Sequence, residues 1–110
     1  MSIKRYDFQD MMQGDAAAGE IYTKLNDLGF KTAFENTEGH GHQIYRVFSK
    51  DAQSLESGSE IMRFEYNGTV EPATLRFDFG TSMHRLMFQG LAEIVTDKFG
   101  GIEVPEIGRK

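Results

Sequence analysis

Residues 60–79 read EIMRFEYNGTVEPATLRFDF. Two runs inside this stretch, Glu60 to Tyr66 and Thr74 to Phe79, alternate with period two and are rich in aromatic residues, as strands are. Met62, Phe64 and Tyr66 share one side of the first run, and Leu75, Phe77 and Phe79 share one side of the second. Ile61, Arg63 and Glu65 lie on the other side of the first, and Arg76 and Asp78 on the other side of the second. Asn67-Gly68 between the runs is a hairpin signal. Pro72 follows and cannot donate to a ladder, so a bulge or a wider loop is expected. If Phe64 pairs with Phe77, Arg63 faces Asp78 and Glu65 faces Arg76, and the opposite charges set the register. A tight turn at Asn67-Gly68 would impose another register and break those pairs.

Upstream, Lys31 to Asn36 and Gln43 to Ser49 read as a hairpin with the same alternation. They add Thr32, Phe34, Tyr45 and Val47 to the apolar face, and Ala33, Glu35, Ile44, Arg46 and Phe48 to the mixed face. KDAQSLESGS, residues 50–59, is polar and aperiodic, which predicts a flexible surface loop longer than the usual connection.

A helix is predicted at each end. From Asp7 to Leu28, Met11, Gly14, Ala18, Ile21, Leu25 and Leu28 recur at helical spacing. Asp7 is the expected cap, Gly14-Asp15 a candidate break, and Gly29 the stop, with Phe30 folding back on the last turn. The last helix is expected to open at Gly80-Thr81-Ser82 and to bury Met83, Leu86, Met87, Leu91, Ile94, Val95 and Phe99. Contact between the helices is expected at Gly14, Ala18 and Gly90, where small residues let backbones approach. Gly100-Gly101 stops the last helix. The tail, 102–110, either adds an edge strand over Ile102 to Val104 or hangs free.

The economical architecture is α+β: a four-stranded, mainly antiparallel sheet with N- and C-terminal helices packed on its aromatic face, in the order α-β-β-β-β-α. A chain of 110 residues bounds this to a single domain, 1–110. The absence of cysteine excludes a disulfide framework, a Cys-ligated metal and a thiol nucleophile. No apolar run is long enough to span a membrane, and no secretory signal is readable, so the cytoplasm is the expected compartment. A net charge of −5 argues against duplex DNA, which needs clustered Lys and Arg. Nine Phe and six Met are most simply read as core.

Two stretches carry candidate chemistry. EGHGH, residues 38–42, sets Glu38, His40 and His42 close together, and imidazoles with a carboxylate oxygen are zinc-type ligands. In an extended segment His40 and His42 point to the same side. A third ligand is lacking, His84 being the one other histidine, and glycines with polar residues suit a solvated turn equally well. Arg46, Arg63 and Arg76 share the mixed face, where guanidinium groups hold phosphate or carboxylate, and Phe48 nearby offers a base-stacking ring. Cross-strand ion pairing is the competing explanation for Arg63 and Arg76; Arg46 has no obvious carboxylate partner.

No nucleophile elbow, Walker loop, dinucleotide fingerprint or H-E-x-x-H is present. Asp78 and His84 suggest a base and its orienter, but nothing supplies a nucleophile, so a binding protein is expected before an enzyme, with no cofactor. The mixed face, with Ile44, Phe48 and Ile61 among Arg46, Arg63 and Arg76, has the composition of an interface. The expected function is a small protein-interaction module (adaptor, chaperone-like factor, inhibitor or regulator) that binds a protein partner there or through the 50–59 loop and self-associates as a homodimer. The alternatives are an anion or single-stranded nucleic-acid binder using the arginines, and a metal site at residues 38–42.

Overall fold

The structure, a computed structural model, describes residues 3–37, 41–51, 60–80 and 83–105. Its elements are β1 (Ile3–Phe8), α1 (Met11–Asp27), β2 (Lys31–Thr37), β3 (His42–Phe48), β4 (Glu60–Asn67), β5 (Ala73–Asp78), α2 (Arg85–Lys98) and β6 (Ile102–Val104). They form one sheet in the order β2-β3-β4-β5-β1-β6, with every neighbouring pair antiparallel. The α+β class and the antiparallel sheet are as expected. The strand number is not: there are six strands rather than four, and the first helix lies between β1 and β2 rather than at the N-terminus.

The correction starts at Asp7, which is not a cap. IKRYDF alternates, with Tyr6 and Phe8 buried and Arg5 and Asp7 on the opposite side, so the segment pairs with β5 from Ile3↔Asp78 to Phe8↔Ala73. Asp10 caps α1, its carboxylate accepting the Met12 amide at 2.9 Å. α1 runs unbroken through Gly14 and buries Gly14, Ala17, Ala18, Ile21 and Leu25, while Met11 and Leu28 are exposed. The helix ends as its sequence requires. Gly29 takes a φ of 97°, its amide reaches Asn26, and the Phe30 amide reaches Leu25 at 3.1 Å, which folds the buried Phe30 under the last turn.

Alternation places the core. Tyr45, Val47, Met62, Phe64, Tyr66, Leu75, Phe77 and Phe79 are buried beneath both helices, with Phe88, Ala92 and Val95 of α2 in the same cluster. Directly paired residues stack across the strands: Tyr45 on Phe64 at 4.5 Å and Phe64 on Phe77 at 5.3 Å between ring centroids. That pairing brings Arg63 opposite Asp78 and Glu65 opposite Arg76. The two strands join through residues 68–72, a wider loop in which Asn67 accepts the Thr69 amide.

α2 differs from its expected face. Its buried residues are Phe88, Ala92, Val95 and Thr96, and its N-terminal turn has His84 at the cap without a side-chain bond to the helix. Thr81 and Ser82, the expected caps, lie outside the described residues. Gly100, with a φ of 83°, ends the helix, and β6 then pairs with β1 from Asp7↔Ile102 to Arg5↔Val104. Among the described residues no helix is long and apolar enough to cross a membrane.

Candidate functional site

The sheet face away from the helices carries the arginines. Arg46 and Arg63 are directly paired across β3 and β4, and Arg5 and Arg76 across β1 and β5. Two like charges side by side need counter-charge, and Glu60 supplies it. Its carboxylate accepts from Arg63 Nε at 3.1 Å and stands 3.8 Å from Arg46 Nε, ion-pair range but too long for a hydrogen bond. Arg46 also reaches Glu35 at 3.4 Å. Arg5 is bound to Asp7 at 3.1 Å. Arg46 therefore has two carboxylate partners, contrary to expectation. Arg63 stands opposite Asp78 in register, yet its side chain turns to Glu60, and Asp78 accepts the Gly80 amide at 3.1 Å.

The apolar members of that face are less available than their parity suggests. The pairing slips after Val47↔Met62, so that Phe48 meets Glu60 and Ile61 is passed over. Phe48 is fully buried, and Ile61 packs against the core. Ile44 is half-buried between Glu35 and Glu65, its register partners. The structure thus gathers Ile44, Arg46, Ile61, Arg63 and Arg76 on adjacent strands, but withdraws Phe48 from contact with a ligand.

Of the histidine turn, Glu38 and His40 lie outside the described residues. His42 begins β3 and contacts the Glu65 carboxylate on the neighbouring strand. Among the described residues no group of three metal-ligating side chains is present. His84 belongs to the other layer, where its ring packs edge-on against Phe30 at 5.1 Å. A catalytic pairing of His84 with Asp78 therefore joins groups from opposite layers, one in the helix layer and one on the strand side.

Two shallow grooves of about 540 and 610 Å³ share Gln9 and Glu71 at one end of the sheet. Their ionisable lining residues are Asp7, Asp10 and Glu71. Asp7 is held by Arg5 and Asp10 by the α1 cap, so the two serve structure. Burial raises the Tyr45 phenol to about 12 and also raises the phenols of Tyr6 and Tyr66, all three in the core.

The surface that sequence reasoning missed is the outer side of α2. Met83 is 90% exposed, Leu86 72%, Ile94 70% and Met87 41%. At 100° per residue Leu86, Met87 and Ile94 flank Gly90, at which an added methyl would meet nothing within 4 Å, and Met83 lies in the turn just before the helix. Glu93 and Asp97 continue the same side toward the C-terminus. The signal was the second stripe, Phe88-Ala92-Val95-Phe99, which has the same helical spacing and competes for the core. Comparison of the chain with protein-family models, with curated proteins and with solved structures finds no match in any of the three.

Proposed function

We propose that the protein is a protein-interaction module, of the adaptor, inhibitor or regulator kind, and that the outer side of α2 is its principal contact surface. The observation that carries this is the exposure of Leu86, Met87 and Ile94 together on one face of α2, with Met83 exposed in the turn before it. Contiguous apolar exposure is what a soluble chain otherwise suppresses, and it marks surfaces that a partner covers. Covering a leucine or isoleucine fully contributes about 1.5–3 kcal/mol, so Leu86 and Ile94 are the natural anchors. Methionines beside them adapt to the partner's shape. Glu93 and Asp97 make the rim acidic, and the fitting partner carries an apolar anchor with Lys or Arg around it.

This shifts the expected contact from the sheet face to the helix layer. The sheet face supports a protein partner less well because Phe48 is buried, and it supports an anion less well because Arg46 and Arg63 converge on Glu60. Affinity capture from native lysate, with nuclease controls and mass spectrometry, tests the proposal against a Leu86→Asp/Ile94→Asp variant. Proteins retained by the wild-type chain and lost by the folded variant support it. Equal retention by both, or retention that nuclease abolishes, overturns it.

A further inference from the structure

The two edges of the sheet are protected unequally. β6 is three residues long and is followed by Pro105, a short edge of the kind that resists pairing. β2 is seven residues long and keeps one register with β3 from Lys31↔Phe48 to Thr37↔His42, with no proline and no bulge. Among the described residues no strand lies on its outer side. Phe34 on this edge is 46% exposed, its ring resting on Tyr45 at 5.1 Å and Tyr22 at 6.4 Å.

We infer that β2 pairs with β2 of a second copy of this chain, antiparallel, about a two-fold axis at Ala33, joining two sheets into one. Within this strand the five residues KTAFE, Lys31 to Glu35, are self-complementary about that residue. Lys31 of each copy stands across from Glu35 of the other, and Thr32 across from Phe34. Lys31 and Glu35 both lie on the side of the sheet away from the helices, since each is two residues from Ala33. Two symmetry-related opposite-charge pairs therefore form on one face and two Thr–Phe pairs on the other. An antiparallel two-fold pairing that keeps every residue on its own face must centre on a residue. Centred on Phe34, it sets Ala33 against Glu35 and Lys31 against Thr37. Centred on Thr32, it sets Lys31 against Ala33. Only the Ala33 register matches the charges. Glu35 already receives Arg46 at 3.4 Å, and its two carboxylate oxygens accommodate a second cation. One strand pair is a small interface, so the dimer is weak and concentration-dependent.

The proposal is independent of the α2 surface, and its test keeps the two apart. Sedimentation of the wild-type chain is expected to show a concentration-dependent dimer. Lys31→Glu and Glu35→Lys each place like charges across the axis and weaken it about tenfold. An equimolar mixture of the two variants restores it, because each mixed dimer again pairs opposite charges. The chain has no cysteine, so Ala33→Cys reports the axis directly: mild oxidation links two copies only if position 33 meets itself. Leu86→Asp/Ile94→Asp leaves the dimer intact. A wild-type chain that is monomeric at millimolar concentration overturns the inference. So does a dimer that the Leu86/Ile94 variant abolishes, or one indifferent to both charge reversals.

Discussion

The Tyr66 hydroxyl donates to the Met11 carbonyl at 2.6 Å, and the ring of the same residue fills the place where a side chain at position 14 would stand. A methyl on Gly14 would come within 2.7 Å of Tyr66 Cε1 and 3.3 Å of the Phe8 ring. The start of α1 is thus seated on β4 and β1 through the absence of a side chain. Gly14→Ala gains up to about 1 kcal/mol in helix propensity but overpacks a buried contact, which costs about 1–3 kcal/mol. A net loss of stability of about 1–2 kcal/mol is expected in urea denaturation.

Gly19 and Gly90 behave oppositely. At either position an added methyl meets nothing within 4 Å. Gly19→Ala and Gly90→Ala are each expected to raise stability by about 0.5–1 kcal/mol, seen as a higher denaturation midpoint at unchanged slope. Because Gly90 lies within the exposed apolar face, its alanine variant is also expected to weaken partner capture while stabilising the chain.

Glu60 lies between Arg63 and Arg46, which are direct cross-strand partners. Glu60→Ala leaves the two guanidinium groups facing each other without it. The pairs are partly exposed, which limits their worth. A loss of about 1 kcal/mol is expected at low salt, shrinking as added salt screens the repulsion. Arg63→Ala in the same background is expected to recover part of the loss in a double-mutant cycle.

Alkaline pH is expected to loosen the core through Tyr45. Burial raises its phenol from 10 to about 12, whereas the unfolded chain ionises near its ordinary value. Below the unfolded pKa both states hold the proton, and the full stability is present. As pH rises from 10 toward 12 the unfolded state loses the proton first, so stability falls, by about 2–3 kcal/mol from this residue. Denaturation measured across that range, with tyrosinate absorbance in parallel, is expected to show the decline, and Tyr45→Phe to flatten it.

The sheet was legible where one side of a strand is uniformly aromatic. Tyr45, Phe64 and Phe77 both mark the core and lock the register, and so Arg63 and Asp78, and Glu65 and Arg76, could be placed opposite one another from sequence. β1 was misread because Asp7 doubles as a helix-cap residue, and an acidic residue before a helical run resembles a start signal. α2 was misread because it is apolar on two sides, which leaves its periodicity without a unique phase. The partners of Arg46 were hidden for geometric reasons. Glu35 approaches diagonally from the strand pairing Ala33 with Arg46, and Glu60 is brought alongside by the slip at Phe48.

The place of β1 also governs the order in which the fold can assemble. β2 to β5 are successive antiparallel neighbours, and hairpins of this kind close early because little chain separates their partners. β1 pairs with β5 and β6, both encoded far downstream. During synthesis Ile3–Phe8 leaves the ribosome well before either of its strand partners, and Tyr6 and Phe8 lack their β5 neighbours until Ala73–Asp78 has emerged. Substitutions in β1 are accordingly expected to speed unfolding and leave the folding rate nearly unchanged, whereas those in the β3–β4 ladder slow folding itself.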